Sequence, residues 1–397
     1  MIIKPRTRGF ICTTAHPDGC ARQVQQHIKY VQDRPKIYGP KNVLVIGAST
    51  GYGLASRIVA AFGAHANTVG VYRPSAASGS RTASAGWYHS AAFEEAAHDA
   101  GLRSFSVTGD AFTEETKLKT AEVISRELGQ VDLVIYSVAT ARRNDSVSGE
   151  TYNSVLKPIG ESYTNKTVNF HTGEVSLVTL EPATEQEIEH TVRVMGGEDW
   201  QDWIHVLKNA DALAPHAVTV AFSYIGSQIT QPIYREGTIG RAKDHLEQTA
   251  RDLHRELSAG GGGAYVAVSK ALVTQSSSAI PVVPLYMSVL YKTMKQHGVH
   301  EGTIEQMYRM FSERLYSTGE VPVDEDDRIR LDDWEMREDI QAEVSLIWDQ
   351  LDTEHIYQLT DLEGFRKEFF QLFGFEVDGV DYEAECNPDV EVRNVRV

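Results

Sequence analysis

Asn42-Val43-Leu44-Val45-Ile46-Gly47-Ala48-Ser49-Thr50-Gly51-Tyr52-Gly53-Leu54-Ala55 is the stretch whose reading decides the fold. Val43 to Ile46 form an unbroken apolar run, the pattern of a strand buried on both faces of a parallel sheet. Glycines at 47, 51 and 53 follow, and a helical pattern then continues to about Phe62. Strand, glycine-rich turn and helix, in that order, make a site for a dinucleotide pyrophosphate. The glycines admit close backbone approach, and the first turn of the helix offers unpaired N–H groups. Gly47, Ala48, Ser49, Thr50, Gly51 and Tyr52 are therefore candidate cofactor contacts.

The spacing Gly-x3-Gly-x-Gly differs from the usual Rossmann turn and resembles the short-chain dehydrogenase/reductase variant. Moving outward, Thr68–Tyr72 reads as a second strand ending at Arg73-Pro74. An acidic residue at this end binds adenosine ribose hydroxyls, whereas an arginine accommodates a 2′-phosphate. Arg73, with Ser75 and Arg81 nearby, points to NADPH unless it is an exposed loop arginine. Ala76–Trp87 reads as a loop and Ser90–Ala100 as a helix. Ser104–Val107 is a third strand leading to Asp110 and Ala111, where Asp110 either meets the adenine or caps the helix over 114–128. Val131–Tyr136 is a fourth strand, whose end brings Val138 and Ala139 towards the nicotinamide. Before the first strand, Cys20–Gln32 has helical spacing and His16 reads as structural.

Residues 144–190 break the alternation, with short strands at Val155–Gly160 and Thr167–Val175 expected to form a hairpin insertion beside the active site. Helical pattern resumes over Glu185–Ala210. A fifth strand over Ala217–Phe222 delivers Tyr224, Tyr234 and Lys243 at its carboxyl end, where open α/β sheets keep their reacting groups. A phenol beside an ammonium suits a reductase that stabilises an oxyanion and supplies a proton. Nine helical steps of about 100° would put Tyr234 and Lys243 on opposite faces. The spacing thus demands a break, which Gly237 and Gly240 supply: Tyr234 on a loop, Lys243 in a helix to about Leu257. Ala264–Val268 is a sixth strand, and Leu272, Val273 and Thr274 after it are placed to reach the nicotinamide and phosphates. Val282–Met294 reads as a buried helix, the C-terminal third as helical and acidic, and the tail as solvated.

The fold expected is α/β, a Rossmann-type doubly wound parallel sheet with a hairpin insertion and a helical C-terminal part near the active site. It forms one elaborated domain over 1–397, with its cofactor core at about 40–140 and 215–280. The formal net charge of −17 argues against a nucleic-acid surface. Three cysteines without metal-ligand spacing fit a reducing cytoplasm, and no apolar run approaches the about 20 residues that span a bilayer. The N-terminus lacks a signal-peptide core.

The chain resembles the long trans-2-enoyl-thioester reductases, from about Ile2 to Val392. The resemblance rests on Gly47–Ala55, Gly109-Asp110-Ala111, Val155–Gly160 and Met195–Trp200. It rests further on Ser223–Gly226, the Tyr-x8-Lys pair Tyr234 and Lys243, Lys270–Gln275 and Phe373–Tyr382. It implies that Tyr234 donates the proton, that Lys243 binds cofactor and keeps the Tyr234 pKa low, and that Tyr224 contacts substrate. It also implies cofactor contacts at Gly47–Tyr52, Asp110, Ala111, Val138, Ala139 and Leu272–Thr274. NADH is the family's usual cofactor, although the aromatic-acid pair usual after the second strand is replaced by Arg73-Pro74. The implied substrate is an enoyl-CoA or enoyl-acyl-carrier protein, reduced at C3 by a cytoplasmic monomer that neither enters membranes nor binds nucleic acid. A short-chain-type carbonyl or 3-ketoacyl reductase and a non-catalytic dinucleotide sensor are the competing readings.

Overall fold

Val43 and Val45 point into one apolar cluster and Leu44 and Ile46 into another, so alternate side chains of one strand bury on both sheet faces. That is the physical reason for the unbroken apolar run. The computed structural model describes residues 1–9, 11–73, 75–145 and 148–396. Its central sheet has eight strands. From edge to edge they are Arg328–Arg330, Gly263–Val268, Leu213–Ser223, Val131–Tyr136, Asn42–Ile46, Asn67–Tyr72, Ser104–Thr108 and Val395–Arg396. Every pairing is parallel. Chain order reverses between Asn42–Ile46 and Val131–Tyr136, which creates the crevice where such sheets bind ligands. Among the described residues no helix is long and apolar enough to cross a membrane.

A third apolar cluster lies beyond the sheet. It joins the buried helix Val283–Gln296 to Phe365, Phe369 and Phe370 of a C-terminal helix, and it includes Tyr234. Residues Val283–Tyr291 are all buried, as the apolar run over 282–294 implies.

Several expectations need correction. The first long helix starts at Pro17, with buried His16 as its N-cap: Nδ1 accepts from the Gly19 N–H at 3.2 Å. The helix Ala85–Asp99 begins inside the stretch read as a loop, because Ser84 caps it by accepting from the Trp87 N–H. Glu185–Ala210 is two helices, Glu185–Met195 and Glu198–Asn209, parted at Gly196-Gly197. Val155–Gly160 forms no strand; the hairpin pairs Tyr163–Asn169 with Glu174–Leu180. The tail is not simply solvated. Tyr88 Oη donates to the Pro388 carbonyl at 2.7 Å, Trp87 Nε1 to that of Val390 at 2.6 Å, and Val395–Arg396 completes the sheet edge.

Candidate active site

The glycine turn closes tightly over the crevice. Gly47 has φ +85°, and a Cβ there would sit 2.1 Å from the Ser137 carbonyl oxygen at the end of the neighbouring strand. A Cβ on Gly53 would meet the Gly47 carbonyl at the same distance. The turn is pinned from behind, since the Gly47 and Ala48 N–H groups donate to the Val71 carbonyl at 2.9 and 3.0 Å. The helix that follows has Thr50 as its N-cap without a side-chain cap bond. Its first N–H groups are thereby left to an anion, which suits a pyrophosphate.

A cleft of about 1110 Å³ opens in front of this turn, lined among others by Gly47, Thr50, Gly51, Tyr52, Ala139 and Thr274. Val273 also lines it, and its N–H donates to Tyr291 Oη at 3.0 Å. Leu272 is buried and its carbonyl takes the Ser277 hydroxyl at 2.8 Å. Ala48 is buried, and Ser49 lies against Gly86, the start of the next helix. Val138 is half-buried beyond the crevice. Past the ends of the second and third strands Arg73 and Asp110 meet: NH1 lies 3.5 Å from Oδ2, with the arginine side chain 78% exposed. Asp110 Oδ1 also accepts from the Phe112 N–H at 3.1 Å, and the Ala111 carbonyl accepts from Trp203 Nε1 at 3.0 Å. Pro74, the remaining cofactor candidate, lies outside the described residues.

Tyr224 and Tyr234 meet outside the lining of this cleft, and Lys243 is held on the strand that leads to Tyr224. The rings of Tyr224 and Tyr234 meet edge to face with centroids 4.8 Å apart. Tyr234 follows the short 3₁₀ turn Gln231–Ile233, and the Lys243 helix starts at Thr238, so the spacing problem is solved by a loop as expected. Gly240, however, is inside that helix. What it permits is close packing: a Cβ would lie 1.9 Å from the Arg235 carbonyl. The insertion braces the loop from two sides. Thr238 N donates to the Lys157 carbonyl at 3.0 Å, and Tyr163 Oη to the Ile229 carbonyl at 2.5 Å. Val155–Gly160, wrongly read as a strand, is therefore a strut for the loop that carries Tyr234.

Lys243 Nζ donates to the Phe222 carbonyl at 3.0 Å, and Tyr52 stacks on the Phe222 ring with centroids 5.0 Å apart. Tyr52 thus links the cleft to the tyrosine pair. Burial pushes the Lys243 ammonium down to about 8, with Glu247 pulling it back up. The Tyr234 hydroxyl is pushed up by burial first, then by Tyr52 and Glu335. This is opposite to the lowering expected from Lys243.

The residue that sequence reasoning missed is Glu335. It is wholly buried, and Oε1 accepts from Tyr224 Oη at 3.1 Å and Tyr286 Oη at 2.7 Å. Oε2 accepts from the Ala271 N–H at 2.6 Å. Its neighbourhood, Asp332-Asp333-Trp334-Glu335, reads as one more acidic stretch. The available signal was position: it follows the strand Arg328–Arg330, at the same carboxyl edge as the tyrosines.

Three family models match the chain: residues 2–79 one described as the NAD(P)H binding domain of trans-2-enoyl-CoA reductase, and residues 81–316 one for its catalytic region. Residues 323–386 match a model described as an enoyl reductase FAD binding domain, where the flavin is that model's label only. The chain is 57% identical over 396 residues to an enoyl-[acyl-carrier-protein] reductase [NADH] of Flavobacterium johnsoniae, covering 100% of both. It is 53% identical over 395 residues to a trans-2-enoyl-CoA reductase [NADH] of Ruminiclostridium cellulolyticum, again covering 100% of both. Among solved structures, trans-2-enoyl-CoA reductase of Treponema denticola in complex with NAD superposes with a TM-score of 0.94 at 47% identity, over 97% of this chain and 98% of that one.

Proposed function

The chain belongs to the trans-2-enoyl-CoA reductase family, and from that premise we propose that it reduces the 2,3 double bond of trans-2-enoyl thioesters with NADH, using Tyr234, Tyr224 and Lys243. The observation that carries the roles is the edge-to-face tyrosine pair after the fifth strand, with Lys243 bonded to the Phe222 carbonyl at the end of that strand and a glycine-lined cleft nearby.

The cleft fits a dinucleotide, with the free helix end at Thr50 for the pyrophosphate and Asp110 for the adenosine half. Bound there, NADH supplies the hydride. As hydride adds to C3 of the substrate, the π electrons move onto the thioester oxygen, and the resulting enolate takes a proton at C2 as the carbonyl reforms. Tyr234 donates a hydrogen bond to that oxygen as charge develops and is the source of the proton. Tyr224 holds the same oxygen from the side. Lys243, half-buried and fixed on the Phe222 carbonyl, holds the ribose.

Tyr234→Phe and Lys243→Met are each expected to lose about 10²–10⁴-fold in turnover while keeping the wild-type circular dichroism spectrum. Near-normal turnover by Tyr234→Phe overturns the assignment. NADH and NADPH oxidation, followed in parallel with crotonyl-CoA, tests the cofactor. NADH is expected to be preferred, since Asp110 beside Arg73 opposes a further phosphate. A clear NADPH preference makes Arg73 the phosphate-binding residue instead. The same assay with an acyl-carrier-protein substrate separates the two carriers that the relatives' names mention. We read the chain as one unit acting as a cytoplasmic monomer, which light scattering tests for the oligomeric state.

A further inference from the structure

We propose that Glu335 is a positioning residue for the reduction: its carboxyl group decides whether the Tyr224 hydroxyl hydrogen points into the protein or towards the thioester oxygen. The inference rests on the reading of Tyr224 as a substrate contact.

A tyrosine hydroxyl has one hydrogen to give. With Glu335 ionised, both carboxylate oxygens accept only, so the 3.1 Å bond from Tyr224 Oη commits that hydrogen to Oε1. Tyr224 is then left with lone pairs facing an oxygen that is itself gaining negative charge. Once Glu335 carries a proton on Oε1, the same contact reverses. The carboxyl donates to Tyr224 Oη, and the tyrosine hydrogen is free to turn to the substrate. Tyr286 Oη continues to donate to Oε1, and the Ala271 N–H to Oε2, so no other bond needs to break.

The surroundings are built for such a switch. Tyr286 is fixed by Gln341, whose Nε2 reaches Tyr286 Oη at 3.2 Å and the Glu335 carbonyl at 2.7 Å. Facing the carboxyl are Tyr224 and Tyr234 from the loop after the fifth strand, and Lys270 from the loop after the sixth. Tyr286 and Tyr291 face it from the buried helix, Tyr52 from the helix after the glycine turn, and Asp332 from its own segment. Lys270 acts through space only, since its Nζ donates to the Ala271 carbonyl at 3.0 Å and lies 4.5 Å from the centre of the Tyr291 ring. Burial raises the Glu335 pKa above the ordinary carboxyl value, and the Ala271 and Tyr286 hydrogen bonds partly offset this.

The test is the pH profile of kcat with saturating NADH and crotonyl-CoA, for wild type, Glu335→Gln and Tyr286→Phe. With its carbonyl on the Ala271 N–H, glutamine turns its amide nitrogen to Tyr224 and Tyr286 and donates at every pH, so it frees the Tyr224 hydrogen as the protonated acid does, at the cost of the bond from Tyr286. Its kcat is expected to stay near the wild-type plateau and to lose the decline as pH rises. Tyr286→Phe removes one donor from the carboxylate, so the decline shifts to higher pH. Lys243, whose pKa burial pushes down, bonds to the Phe222 carbonyl and not to Tyr286, so any limb it contributes stays unmoved in that variant. A wild-type profile in Glu335→Gln, or in Tyr286→Phe should the glutamine variant fail to fold, overturns the inference. Tyr224→Phe separates the two levels. A large loss there with an unmoved Glu335→Gln profile sinks the switch alone, and near-normal turnover of Tyr224→Phe sinks the substrate reading beneath it.

Discussion

Two glutamates of this molecule are wholly buried near its working parts, and they are satisfied in opposite ways. Glu94 sits on the helix Ala85–Asp99, where Arg57 NH2 meets its Oε1 at 2.7 Å. Ser106 Oγ donates to Oε1 at 2.5 Å, and Ser104 Oγ to Oε2. Arg57 in turn donates to Thr68 Oγ1 and the Phe105 carbonyl, with its Cζ 4.3 Å from the centre of the Phe93 ring. Glu335, just after the strand Arg328–Arg330, is held by two tyrosine hydroxyls and one backbone N–H, with no cation bonded to it among the described residues. A buried carboxylate fixed by a bonded cation is a strut, because losing its charge strands the arginine. One held by hydroxyls exchanges a proton without stranding anything, because hydroxyls donate or accept as required. The same residue type is scaffold in one place and a candidate switch in the other.

Breaking the strut should produce the largest change. Glu94→Ala leaves Arg57 buried and uncompensated, an expected loss of about 3–5 kcal/mol of folding stability, read from urea unfolding midpoints. Turnover of the molecules that remain folded should be close to wild type, since the pair does not touch the tyrosines. A loss well under 1 kcal/mol would mean that the pair is no strut. Crowding the strut is a milder version. Gly70 lies on the second strand, and a Cβ there would be 2.6 Å from Arg57 NH1. Gly70→Ala should cost about 1–3 kcal/mol by overpacking, and because its Cβ would also lie 2.9 Å from that of Ala48 in the glycine turn, a rise in the KM for NADH should accompany it. An unchanged unfolding midpoint would show that Arg57 can move aside.

The comparison also shows what was legible in the sequence and what was not. Asn42–Ile46, the glycine turn and the strands at 131 and 263 announce themselves through local pattern, since apolar runs and glycines carry their own physics. Tyr234 and Lys243 were legible as a pair because their spacing forces a loop between them. Glu335 was not, because its partners Tyr224, Ala271 and Tyr286 are 111, 64 and 49 residues away. Nothing local separates a buried acid of this kind from the solvated ones around it. Val155–Gly160 misled for a related reason: its backbone bonds to Thr191 and Thr238 of two helices and to Ala183, and not to another strand. Composition reads an extended segment, and only the tertiary partner decides whether it is sheet.

The smallest effect isolates the proton on Glu335 without any assay of turnover. Its folded-state pKa is raised, chiefly by burial. Between the ordinary carboxyl value and the raised one, the folded chain therefore holds a proton that the unfolded chain has released. Stability from this group is fully present below the unfolded pKa, about 4.3, and is lost as pH rises through the folded pKa. Asp199, Asp332 and Glu305 are also raised and add slopes of the same sign, so the informative quantity is a difference between two proteins. Subtracting the unfolding free energies of Glu335→Gln from those of wild type should leave a curve that falls with rising pH, by at most about 1.4 kcal/mol per pH unit. A flat difference would mean that Glu335 keeps one protonation state on folding, and the two buried glutamates would then be struts alike.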